Sequence, residues 1–248
     1  MPLTDRIGGH KGADRWGITA SVLVQSEPSL HHAHYCAKIA RKTPGIAACV
    51  GWLDATAPIP DIAALRAAGH CGFRLMLNRM RPEQLASPAL QRCCQLAGQA
   101  GLSVDLLAPL DGFETVQKLV QSAPQTRFIL NHAFTPDTSR APAPDWSAAM
   151  QSLGRLPNLW NKLAGHMEKS HGQTSGLHQH LDVIFASFPI ERLMFASNWP
   201  IIDLFGGAEG WLAVLNDYLH THAATPSDLT AFFQGAATTA YTLPRLND

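Results

Sequence analysis

Apolar residues along this chain come in short blocks of strand length, most of them closing on a polar residue. The blocks are ASVLVQ (20–25), AACVGWLD (47–54), GFRLMLN (72–78), LSVDLLA (102–108), RFILNH (127–132), NLWNKLAG (158–165) and RLMFASN (192–198). Their starts lie roughly 25 to 35 residues apart, the length of a β-strand plus a crossover helix. The intervening segments carry helical spacing instead. SPALQRCCQLAGQAG places Leu90, Cys93, Cys94 and Ala97 on one face and stops at a glycine. PSLHHAHYCAKIARKTPG runs into basic residues and then Pro-Gly, a helix-stop signal. The strand blocks are apolar throughout rather than alternating, as parallel strands covered by helices on both faces must be. Repetition of this unit predicts an α/β fold, a (β/α) TIM-type barrel, as a single domain over residues 1–248. No G-x-G-x-x-G follows the first block, which disfavours a dinucleotide-binding sheet.

Composition narrows the partners. Nineteen basic side chains balance 19 acidic ones, and only 15% of residues are charged, with no long run of one sign. A nucleic-acid or anionic-membrane partner is therefore not expected, and a small-molecule substrate is. No apolar stretch approaches the roughly 20 residues that span a bilayer. The opening MPLTDRIGGHKGADRWG lacks a signal peptide's apolar core. Five cysteines without a C-x-x-C pair read as buried thiols, so a cytoplasmic location is expected.

In a barrel of this kind the active site lies at the carboxyl ends of the strands. The polar residues found there are Gln25, Trp52, Asp54, Arg74, Asn78, Asp105, Asn131, His132, Asn161, Lys162, Ser197 and Asn198. Two cations, an imidazole and several amides at one mouth suit a small, oxygen-rich, anionic molecule, with Arg74 offering a two-pronged fork to a carboxylate. Each has a plainer reading. Arg74 and Lys162 could pair with Asp105 or Asp54 inside the barrel, His132 could be a capped structural histidine, and Asp105 sits mid-strand as an orienting carboxylate. Trp199-Pro200 would turn the chain out of the last strand and wall the pocket.

Taken in order, WGITASVLVQ, GIAACVGWLD, GFRLML, GLSVDLLA, RFILNHAFTP, NLWNKLAG and ERLMFASNWP resemble strands two to eight of the amidohydrolase-related family of TIM-barrel hydrolases. The branch they resemble holds L-fuconolactonase and 2-pyrone-4,6-dicarboxylate lactonase. FFQGAATTAYTL resembles the family's closing helix, with Ala236-Ala237 where its Asn-Ala pair stands. Two departures follow from the resemblance. The family's first strand, which carries His-x-His, has no counterpart in the first 15 residues. The sole His-x-His nearby, His32-Ala33-His34, sits in a helical segment, where i and i+2 diverge. The family's usual aspartate is here Asn198, whose amide can orient a water but cannot take its proton.

A catalytic zinc site needs about three protein ligands. Of the histidines only His132 lies on a strand, with His166 just beyond another, so neither metal nor other cofactor is expected. The resemblance then implies metal-independent hydrolysis of a small lactone or cyclic ester. Arg74 and Lys162 would hold substrate, aided by Gln25, Trp52, Asp54, Asn161 and Trp199. His132 would polarise the carbonyl, Asn198 would position water, and Asp203 or Asp54 would accept the proton. The rivals are a degenerate barrel that binds a small acid, and a metal-dependent hydrolase truncated or given the wrong start. A barrel short of one strand exposes two edges, to be covered by residues 1–15, by closure of the two strands on each other, or by a second copy of the chain.

Overall fold

The computed structural model describes residues 17–55, 62–171 and 174–243. Its strands are β1 (Ser21–Val24), β2 (Ile46–Gly51), β3 (His70–Met76), β4 (Ser103–Leu107), β5 (Phe128–Asn131), β6 (Leu159–Leu163) and β7 (Leu193–Phe195). Each overlaps one of the apolar blocks read from the sequence, β2 and β3 starting one and two residues ahead of theirs. They form one sheet in chain order, every neighbouring pair parallel. Expected coverage of the edges by residues 1–15 lies outside the described residues.

Side-chain alternation divides the sheet into two faces. Phe73, Leu75, Val104, Leu106, Phe128, Leu130, Leu159, Leu163 and Leu193 point outward into the main core. There they meet Leu90, Cys93, Ala97, Val116, Leu119, Met150, Leu153, Leu177, Leu181 and Leu215 from the helices. A smaller cluster fills the inside: Val50, Ile129, Trp160 and Met194, with Ala236, Ala240 and Tyr241 from the C-terminal helix Ala236–Tyr241. Val22 and Val24 of β1 pack on the same cluster. Side chains from both ends of the sheet meeting in one interior means that the sheet curls into a barrel wall.

The helices begin where local chemistry starts them. Ser29 caps helix Leu30–Lys42, its side chain accepting from His32 N at 3.1 Å, and Arg41 and Lys42 occupy the last turn. Ser87 caps helix Pro88–Gln99, accepting from Ala89 N at 3.2 Å, with proline in the first turn. At the opposite end of the barrel from the mouth, Arg127 donates from Nε to Ala240 O at 3.0 Å and from Nη2 to Gly101 O at 2.9 Å. That clamp holds the last helix under the strands. All five cysteines are free thiols. No helix among the described residues is long and apolar enough to cross a membrane.

Helix Pro144–Gly154 ends against helix Thr174–Ser187, and a Cβ on Gly154 would stand 2.0 Å from Ser187 O. Backbone cannot step aside as a flexible side chain can. Gly154→Ala is therefore expected to destabilise the fold by about 1–3 kcal/mol. Urea unfolding measures it, and an unchanged midpoint would mean that these helix ends are not in contact.

Candidate functional site

Inside the barrel, one layer of polar side chains crosses four adjacent strands. Arg74 on β3 is the register partner of Asp105 on β4, and Asn131 on β5 that of Lys162 on β6. Asp105 and Asn131 are fully buried, and Lys162 and Tyr241 nearly so. Lys162 Nζ forms an ion pair with Asp105 and donates to Tyr241 OH at 3.1 Å. The phenol in turn donates to Asp105, with 3.0 and 3.2 Å to its two oxygens. Burial, reinforced by Asp105, raises the Tyr241 pKa well above its ordinary value, so the phenol remains a donor. Burial draws the Lys162 ammonium down while Asp105 holds it up. The plainer sequence reading, in which a cation closes the interior by pairing with Asp105, describes Lys162.

Arg74 is placed differently. Its Nη2 donates to Asn131 Oδ1 at 3.1 Å, and Asn131 is itself fixed by Nδ2 donating to Ile129 O at 3.1 Å and Leu106 O at 3.3 Å. Arg74 Nε is buried without a partner, and no carboxylate forms an ion pair with this half-buried guanidinium among the described residues. A donor fork with unused capacity on the inner face of the sheet suits an anionic or oxygen-rich ligand.

Directly after β5 the backbone turns left-handed for four residues, His132, Ala133, Phe134 and Thr135, with φ of 60°, 46°, 65° and 55°. Such angles are uncommon for any residue but glycine, and a run of them persists only where its surroundings impose it. Trp146 does part of this, donating from Nε1 to Ala133 O at 2.7 Å. The product is a fixed imidazole: His132 Nδ1 lies 2.8 Å from Ala164 O. A carbonyl can only accept, so Nδ1 carries the hydrogen and Nε2 keeps its lone pair. Burial, with Lys162 and Arg74 adding to it, pulls the His132 pKa down to about 4. The ring is neutral at pH 7. Gly165 leaves room for it, since a Cβ there would meet Nδ1 at 3.0 Å.

Beyond β6 the chain carries His166 and Glu168 on the single turn His166–Lys169. His166 is buried and stacks on Trp211, the centroids 5.8 Å apart at 8°, with neither ring nitrogen bonded. Burial lowers its pKa to about 3. Beyond β7, Asn198 adopts φ 56° and donates from Nδ2 to Glu168 Oε1 at 2.8 Å. Glu168 Oε2 is buried and has no partner.

The structure brings Arg74 and Asn131 together, and Gly165, just before the turn that carries Glu168, packs on the His132 ring, while Asn198 bonds Glu168. Several sequence expectations fare otherwise. Asn161 points out of the barrel, its amide 3.9 Å from Met150 Sδ, because consecutive strand residues take opposite faces and Lys162 takes the inner one. Gln25 is buried with its amide nitrogen donating to Glu27 O and, at 2.8 Å, to Ser29 O, so it braces the turn into the first helix. Asp54 and Asp203 are exposed, which removes both carboxylates expected to accept a proton from the water-shielded part of the site. Trp52 is half-buried past β2, and Trp199 is 39% exposed. Tyr241 and Glu168 went unread: one arrives from the far end of the chain, the other sits on one helical turn too short for any period.

Among the described residues, no three His, Cys, Asp or Glu side chains converge as a metal needs. The described donor set does not fit a zinc centre.

A family model described as amidohydrolase matches residues 10–243. The chain belongs to the amidohydrolase family. This amidohydrolase is 28% identical over 208 residues to L-fucono-1,5-lactonase of Burkholderia ambifaria, an alignment covering 80% of this chain and 72% of that protein. Among solved structures, an amidohydrolase from Burkholderia multivorans superposes with a TM-score of 0.86 at 23% identity, over 95% of this chain and 87% of that one. It was crystallised once with HEPES and once with zinc. A Pseudomonas putida protein assigned as 2-pyrone-4,6-dicarboxylic acid hydrolase superposes with a TM-score of 0.78 at 19% identity, over 97% and 87% of the two chains. The structural matches establish the barrel fold that the strand blocks predicted, and the family match confirms the resemblance.

Proposed function

We propose that this amidohydrolase hydrolyses a small lactone or cyclic ester bearing carboxylate or hydroxyl groups, with its own side chains and no resident metal supplying the chemistry. The observation that carries this reading is the fixed His132 tautomer beside an incompletely used Arg74. Similarity to L-fucono-1,5-lactonase supports the substrate class.

Arg74 receives the substrate's carboxylate or carbonyl oxygen and stabilises the charge that develops when water adds. His132 cannot do this, contrary to the role expected from sequence, because its only N–H is committed to Ala164. Its Nε2 instead accepts a hydrogen bond and so orients the attacking water or a substrate hydroxyl. With its pKa lowered to about 4 the ring is uncharged at neutral pH and no stronger a base than a carboxylate. Lys162 serves from behind, holding Asp105 and Tyr241 in the layer beneath.

A second reading draws on Asn198, whose amide cannot act as a base: a barrel that binds a small acid without turnover. A panel of five- and six-membered lactones, assayed with and without a chelator, separates the two. Turnover is expected to survive chelation and to fall about 10²- to 10³-fold in Arg74→Gln, which removes a charge-stabilising donor. Activity abolished by chelation, or binding without turnover, would defeat the proposal.

A further inference from the structure

We infer that Glu168 is the carboxylate that takes the proton of the attacking water, an inference that rests on the lactone-hydrolase reading. Glu168 is 9% exposed, and its Oε2 is shut off from bulk solvent without a hydrogen-bond partner. No cation forms an ion pair with it among the described residues. Leaving a buried carboxylate oxygen unsatisfied is costly, and native proteins keep such groups where a ligand or water completes them. The other oxygen is fixed, accepting from Asn198 at 2.8 Å. Asn198 is itself constrained by a left-handed backbone at the end of β7. One oxygen is therefore anchored and the other is left to act.

This arrangement explains the amide at position 198. An aspartate there would set two carboxylates side by side, and like charges at that separation cannot both ionise near neutral pH. An amide instead donates to Glu168 and leaves its charge intact. The carboxylate function has moved from the loop after β7 to the turn after β6, and Asn198 positions it.

In the reaction, an O–H bond of water breaks and its proton passes to Glu168 Oε2 while the water oxygen bonds to the acyl carbon. The carbonyl π pair moves onto oxygen beside Arg74. When the carbonyl re-forms, the ring C–O bond breaks, and the departing alkoxide recovers the proton from Glu168. The product is the open hydroxy acid, and Glu168 is again a carboxylate.

The test measures kcat and KM for lactone hydrolysis in wild type, Glu168→Gln and Asn198→Asp, with thermal melts of each. Glu168→Gln keeps the shape and an acceptor for Asn198. Its kcat is expected to fall about 10²- to 10⁴-fold while KM and the melt stay near wild type. Asn198→Asp is expected to lower activity at neutral pH, whereas a degenerate site awaiting its aspartate would gain it. Glu168→Gln within about tenfold of wild type, or a more active Asn198→Asp, overturns this inference while leaving a lactonase standing. A wild type that opens no lactone overturns the functional reading and this one with it.

Discussion

Lys162→Met is expected to lower the melting temperature by roughly 6 to 20 °C. Removing one partner of a buried ion pair typically costs about 3–5 kcal/mol, because the remaining charge is stranded. In a barrel of this size each kcal/mol is worth about 2–4 °C. Here the stranded group is Asp105, fully buried and left with the Tyr241 hydroxyl alone. The double variant Asp105→Leu with Lys162→Met is expected to recover most of the loss, since an apolar pair of similar bulk needs no desolvation. Melts of the two single variants and the double complete a thermodynamic cycle. A Lys162→Met protein melting within about 2 °C of wild type would show that the pair is solvated and that Lys162 is available for other work.

The second large effect is acid lability beginning above the carboxylate range. His132 and His166 titrate near 6.5 when unfolded but near 4 and 3 in the folded chain. Between pH 6.5 and 4 the unfolded state therefore binds more protons, and stability rises with pH. Their contribution is complete above pH 6.5 and is lost as pH falls below it. Each imidazole accounts for at most about 1.4 kcal/mol per pH unit. Burial lowers His70 and His180 as well, with the same sign. Urea unfolding at pH 7.5, 6 and 5 should show a steep decline, and His166→Phe, which keeps a ring against Trp211, should flatten it. Equal stability at pH 7.5 and 5 would contradict the burial of these rings.

The strands were legible because their apolar blocks are of strand length and recur at a steady interval. Faces were less so. Asn161 and Lys162 are adjacent and both polar, and a doubly buried strand gives no alternation to say which enters the barrel. The left-handed run at His132 was invisible for a different reason. His-Ala-Phe-Thr contains no glycine to announce it, and its conformation is imposed by Trp146 and Ala164, which come from later elements. Glu168 could have been suspected as a lone acid shortly after a buried strand, but only its contact with Asn198, 30 positions away, separates it from Asp203.

Tyr241 has a bearing on how the molecule is made. It meets Asp105 across 136 positions of chain and belongs to the last described helix. While the ribosome is still adding that helix, the Asp105–Lys162 pair lacks its hydroxyl, and the strands lack the clamp that Arg127 places on Ala240. The barrel's interior is thus complete only once residues 236–241 have packed into it. A nascent polypeptide halted before residue 241 would present chaperones with a wall that has no floor.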